Sequence, residues 1–170
     1  SSFQVKENDL IENKSKIDYK KIKTQVKRIH AGNPFIYMLD SYNKYCQIIN
    51  EHNPDIIYGR STFLISFPAL LAARKNNLPF SYEVSGLWEL VYQSRLNTSN
   101  KKSNNKLKSS ILQTTRLETL TANKSDKVFT LNKSMQKIII NRGVDKEKVF
   151  LAPNSGDTNF SKKFNLVNSF

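Results

Sequence analysis

NPDIIYGRSTFLISFPALLAARKNNLPFSYEVSGLWEL, residues 53–90, decides how the chain folds. Its first apolar run, Ile56 to Tyr58, lies between Pro54 and Gly59 and is too short for a helix, so it reads as a short buried strand. Residues 61–78 have helical length, with Pro68 either in the first turn or at a kink. Residues 79–85, PFSYEVS, then read as a second strand. Two short strands joined through a helix pair in parallel by a right-handed crossover. The segment is a β-α-β unit.

The same alternation extends on both sides. In NPFIYMLDSYNKYCQIINEHNP, residues 33–54, Asn33 stands as N-cap and Pro34 at the first helical position. Apolar residues recur at Phe35, Met38, Leu39, Tyr42, Cys46 and Ile49, which predicts an amphipathic helix. A helix is expected again from about Leu107 to Asn123. DKVFTL, residues 126–131, reads as a third strand, and NKSMQKIIINRG, residues 132–143, as a helix capped by Asn132 and ended by Gly143. EKVFLAPNSGD, residues 147–157, supplies a fourth strand and a turn. The fold class expected is therefore α/β, a Rossmann-like parallel sheet with helices on both faces.

Composition narrows the function. The 170 residues carry 27 Lys and Arg against 14 Asp and Glu, a net charge of +13, which favours anionic partners of some kind. The one cysteine, Cys46, forms no internal disulfide and falls on the expected apolar helix face, so a buried thiol and a cytoplasmic setting are expected. No apolar run is long enough to cross a bilayer, and no leader pattern opens the chain. Two histidines and one cysteine make no zinc-type ligand set, and neither GxxxxGK nor GxGxxG occurs. The aromatics do not interleave with the basic runs, which counts against nucleic acid.

In an open parallel sheet, ligands gather beyond the C-terminal ends of the strands. At the first such end stand Gly59, Arg60 and Ser61, with Arg60 suited to a phosphate or carboxylate. At the second, Glu83 is a carboxylate on or just after a buried strand, followed by Ser85, Gly86, Trp88 and Glu89. At the last, Asn154 and Asp157 belong to a tight turn. NTSNKKSNNKLKSS, residues 97–110, is acid-free and reads as a solvated loop.

In order along the chain, PDII with PALLAARK, then YEVSGLWE, SDKVFTLNKSM and RGVDKEKVFLAPNSGDTNF resemble the N-terminal domain of GT-B glycosyltransferases of the retaining, family-4-like group. The resemblance covers residues 33–160. It implies that residues 1–170 form one acceptor-binding domain, half of a GT-B fold, which lacks the family's opening strand and a C-terminal nucleotide-sugar domain. It further implies a glycosyltransferase of hexosyl type when full-length and an inactive isolated fragment. The implied partners are a nucleotide-sugar co-substrate and a glycan or lipid-linked acceptor in polysaccharide or glycolipid synthesis, with no metal and no other cofactor. Glu83, Ser85 and Arg60 become the expected catalytic positions, and Gly59, Ser61, Gly86, Trp88, Glu89, Asn154 and Asp157 the substrate-binding ones. Lys101, Lys102, Lys106 and Lys108 are the expected contacts with an anionic membrane, placing the protein at its inner face. The alternative reading, from charge alone, is a basic α/β module that binds nucleic acid or an anionic surface.

Overall fold

The computed structural model describes residues 34–96 and 104–154, with side chains for all of these but 95, 96 and 104–107. The order is α1 (Pro34–His52), β1 (Ile57–Arg60), α2 (Phe63–Lys75), β2 (Phe80–Val84), α3 (Trp88–Leu96), α4 (Asn104–Lys124), β3 (Lys127–Thr130), α5 (Lys133–Asn141) and β4 (Val149–Leu151). All strand pairs are parallel, and the sheet runs β1-β2-β3-β4. The fold is the α/β arrangement that the alternation implied.

Local chemistry accounts for most element ends. Asn132 caps α5 by accepting from the Met135 amide at 2.9 Å, and Gly143 follows that helix with φ of +90°, a left-handed conformation that suits glycine. Pro68 lies inside α2, past its first turn. Two elements depart from expectation. α3 was not marked by periodicity, and residues 104–106, read as loop from their polar bias, form the start of α4, a few residues before the expected Leu107. α4 packs against α3, and packing outweighs a weak local preference.

Sequential strand order has a consequence for layering. Right-handed crossovers that step in one direction place each connecting helix on the same side of the sheet. Accordingly Leu70 of α2, Ala122 of α4 and Ile139 of α5 share one core with Phe80, Tyr82, Val84, Val128 and Val149. Of the two covered faces expected, the described residues supply this one. The opposite face carries Tyr58, Arg60, Ser81, Glu83, Lys127, Phe129 and Phe150, of which only Ser81 is buried. Tyr58, Phe129 and Phe150 form a row there, with ring centroids 6.1 and 6.0 Å apart.

Helix α1 packs chiefly along α2 and stands beside β1, whose outer edge pairs with no strand among the described residues. A largely apolar cleft of about 370 Å³ lies there, lined in part by Tyr45, Ile48 and Ile49 of α1, Ile57 of β1 and Ile65 of α2. The buried stripe of α1 is Met38, Ser41 and Ile49, whereas Phe35 and Leu39, expected on the apolar face, are 55% and 62% exposed. Cys46 is half-buried and unpaired.

Candidate functional site

At the C-terminal ends of β1 and β2 the chain turns twice in close quarters. Gly59 permits the approach of α2: a Cβ there would stand 2.5 Å from the Phe80 ring and 2.9 Å from Ser66 Oγ. Beyond it, the Ser61 amide donates to the Glu83 carbonyl at 2.9 Å. The Ser61 hydroxyl donates to the same carbonyl at 3.2 Å and accepts from the Ser85 amide at 3.0 Å. One serine thus clasps the β1–α2 turn to the β2–α3 turn, bringing Gly59, Ser61, Ser85 and Gly86 together.

Arg60 and Glu83 meet on the open face of the sheet. Arg60 Nε lies 2.9 Å from Glu83 Oε1, and the Tyr58 hydroxyl donates to Glu83 Oε2 at 2.5 Å. Register explains the triad, since Arg60 and Glu83 are Cα partners in adjacent parallel strands. Desolvation, followed by the hydrogen bond to the Glu83 carboxylate, pushes the Tyr58 phenol up to about 12.

The remaining candidates divide. Trp88 opens α3, is 45% exposed, and its indole nitrogen lies 3.6 Å from where a Gly86 Cβ would stand. Glu89 turns inward instead: it is 3% exposed and its Oε1 lies 2.6 Å from Nη1 of Arg142 at the end of α5. Asn154 is exposed just past β4. Asp157, Lys101 and Lys102 lie outside the described residues, as does the side chain of Lys106; Lys108 is exposed on α4. Among the described residues no group of three His, Cys, Asp or Glu side chains is placed to hold a metal ion.

Sequence reading missed the polar groups directly beneath the two turns. Glu118, from α4, is 5% exposed. Its Oε1 accepts from the Phe63 amide at 2.9 Å, and its Oε2 accepts from the Tyr82 hydroxyl. Burial drives the Glu118 carboxyl above its ordinary range, against the two hydrogen bonds; Glu89 adds to the rise and Arg142 opposes it. Burial likewise raises the Tyr82 phenol, with the Glu118 charge second. A Glu on a helix 55 residues from its amide partner leaves no local signal; its position on the inward face of α4 was the one clue available.

The arrangement has solved counterparts. The chain is similar to S. aureus MnaA in a co-structure with UDP, with a TM-score of 0.52 and 18% identity over 71% of this chain and 28% of that one. It is also similar to a UDP-N-acetylglucosamine 2-epimerase from Rickettsia bellii, at 0.50 and 13% over 74% and 29%. A further UDP-N-acetylglucosamine 2-epimerase matches at 0.51 and 12% over 71% and 30%. At these identities the likeness is one of fold, and the chain spans under a third of the length of each. No curated protein matches. The parallel sheet and its clasped strand ends lie within residues 22–155, the span matched by the model of the glycosyl transferase 4-like domain, and the chain belongs to that family.

Proposed function

We propose that this domain is the acceptor-binding half of a retaining glycosyltransferase, which moves a sugar from a nucleotide-sugar donor to a glycan or lipid-linked acceptor in polysaccharide or glycolipid synthesis. The observation that carries the reading is the clasp at Ser61, in a chain of this family: two turns are held together where an open parallel sheet presents its ligands. Ser61, Ser85 and Gly86 line the acceptor, Trp88 offers it an exposed ring, and Asn154 borders it from β4; Asp157, three positions on in the sequence, is proposed to bind it as well. Arg60 and Glu83 lend charge at the rim, and Gly59 and Glu89 support the turns from below. Donor binding belongs to a second domain, and the edge of β1 beside α1, unpaired among the described residues, suits a further strand of the same sheet.

The decisive test incubates the protein with a panel of radiolabelled nucleotide sugars and lipid-linked or glycan acceptors. Transfer is expected from the protein joined to a donor-binding domain and not from residues 1–170 alone, since half a cleft orients nothing against the acceptor. Turnover by residues 1–170 alone would overturn the division of labour.

Membrane contact belongs to the same proposal. Leu90 and Val91 of α3 are exposed alongside Trp88, and α3 packs on α4, which carries Lys108. Among the described residues no helix is long and apolar enough to cross a membrane. An exposed apolar group on α3, in a chain whose following sequence carries Lys101, Lys102, Lys106 and Lys108, suits an anionic bilayer surface. Binding to vesicles containing phosphatidylserine should weaken with salt and fall when those four lysines become Gln; equal sedimentation of the variant would remove the lysines from the contact.

A further inference from the structure

Among the buried groups, one carboxylate has no place in the reading above. Glu118 comes from α4, yet both of its oxygens serve other elements: Oε1 takes the first amide of α2, and Oε2 takes the Tyr82 phenol of β2. The nearest charges come from two more elements, Glu89 of α3 and Arg142 at the end of α5. A buried carboxylate is costly unless its oxygens are satisfied, and an apolar residue of similar volume is often no worse for stability. Some other property accounts for an acid at this position.

The first turn of α2 supplies that property. Thr62 is its N-cap residue, but its side chain makes no cap bond, and its buried Oγ1 has no hydrogen-bond partner. The turn therefore does not cap itself; Glu118 does so from a helix that begins beyond α3. On one side the carboxylate grips Phe63, two residues after Ser61, and on the other it grips Tyr82, next to Glu83, whose carbonyl the Ser61 hydroxyl holds. The clasp to the Glu83 carbonyl and the Ser85 amide hangs between these two fixed points.

We propose that Glu118 is a positioning residue for the acceptor site: from beneath, it sets the β1–α2 turn against the β2–α3 turn. It touches no substrate and acts through Phe63, Tyr82 and Ser61. The inference rests on the acceptor-site reading for its consequence in catalysis, though not for its structural half.

The test compares the parent with Glu118→Leu, which removes both hydrogen bonds at similar volume, and Tyr82→Phe, which removes the one to Oε2. Arg74→Ala, which breaks a surface ion pair away from the site, serves as a variant weakened elsewhere. Amide hydrogen exchange is expected to quicken about tenfold at residues 59–63 and 84–87 in the first two variants, with β3 and β4 unchanged. With the protein joined to its donor-binding domain, the acceptor KM should rise about tenfold while kcat stays within about threefold, and Arg74→Ala should leave KM alone. Exchange that stays at the parent rate, or that rises evenly across the sheet, overturns the proposal. So does a loosened pair of turns with an unchanged acceptor KM. If the parent transfers no sugar to any acceptor, the functional reading fails, and the exchange data still decide whether Glu118 holds the turns.

Discussion

The two faces of one sheet are built from the same four strands, with opposite results. On the helix-covered side Phe80, Tyr82, Val84, Val128 and Val149 are buried. On the other side Tyr58 is 54% and Phe150 41% exposed, although the same strands alternate the two sets residue by residue. Intrinsic strand preference does not separate the sets, because aromatic residues stand on both. Crossover handedness does, by sending α2, α4 and α5 to the same side. Polar groups follow the same division. The open face ties Glu83 to exposed partners, whereas the covered face buries Glu118 under the strand ends.

The contrast is tested most strongly by Phe80→Ala, which removes a fully buried ring from the middle of the core. A loss of about 3–5 kcal/mol is expected from urea denaturation. A loss below about 1 kcal/mol would mean that the covered face is not the core. Next is Gly59→Ala, whose new methyl meets the Phe80 ring and Ser66 Oγ. Displacing them should cost about 1–3 kcal/mol.

Phe150→Ala probes the open side, where the ring is half exposed and little packing is lost. The expected cost is at most about 1 kcal/mol in residues 1–170, measured in the same way. If the change costs as much as Phe80→Ala, something covers that face in solution, and the contrast between the two sides disappears.

The smallest effect concerns a clamp at the start of β3, outside both faces. Asp126 accepts from the Phe80 amide at 2.7 Å and from two guanidinium nitrogens of Arg74 at 2.9 Å. The Arg74 hydrogen bonds hold its carboxyl below the ordinary value of 3.8. Because the folded-state pKa is depressed, the stabilisation is present above pH 3.8 and is lost as pH falls through the folded value. Asp126→Asn should therefore lower neutral-pH stability by at most about 1 kcal/mol and flatten the dependence of Tm on pH below about 4. An acid profile identical to that of the parent would show that Asp126 is not the titrating group.

Much of this was legible beforehand where signals are local. Each of the four strands was expected within a few residues of its position, because short apolar runs stood between Pro, Gly and polar turns. Asn132 and Gly143 named the ends of α5 through capping chemistry that needs only neighbours. Arg60 and Glu83 were both singled out, yet their pairing with each other required the register of β1 on β2. The stripe of α1 held at Met38 and Ile49 and failed elsewhere: Phe35 and Leu39 face out, and Ser41 is buried with its hydroxyl bonded to the Tyr37 carbonyl.

By itself the sequence determined the alternation of strands and helices, and with it the parallel sheet and the strand ends where a site belongs. Those features follow from hydrophobic period, caps and turn residues, all of which act over a few positions. Tertiary structure alone decided that Glu89 turns inward to Arg142, that Ser61 bridges two turns, and that Glu118 caps a helix 55 residues away. Such pairings form only when a folded chain closes long loops and removes polar groups from water, so no window along the chain contains both partners.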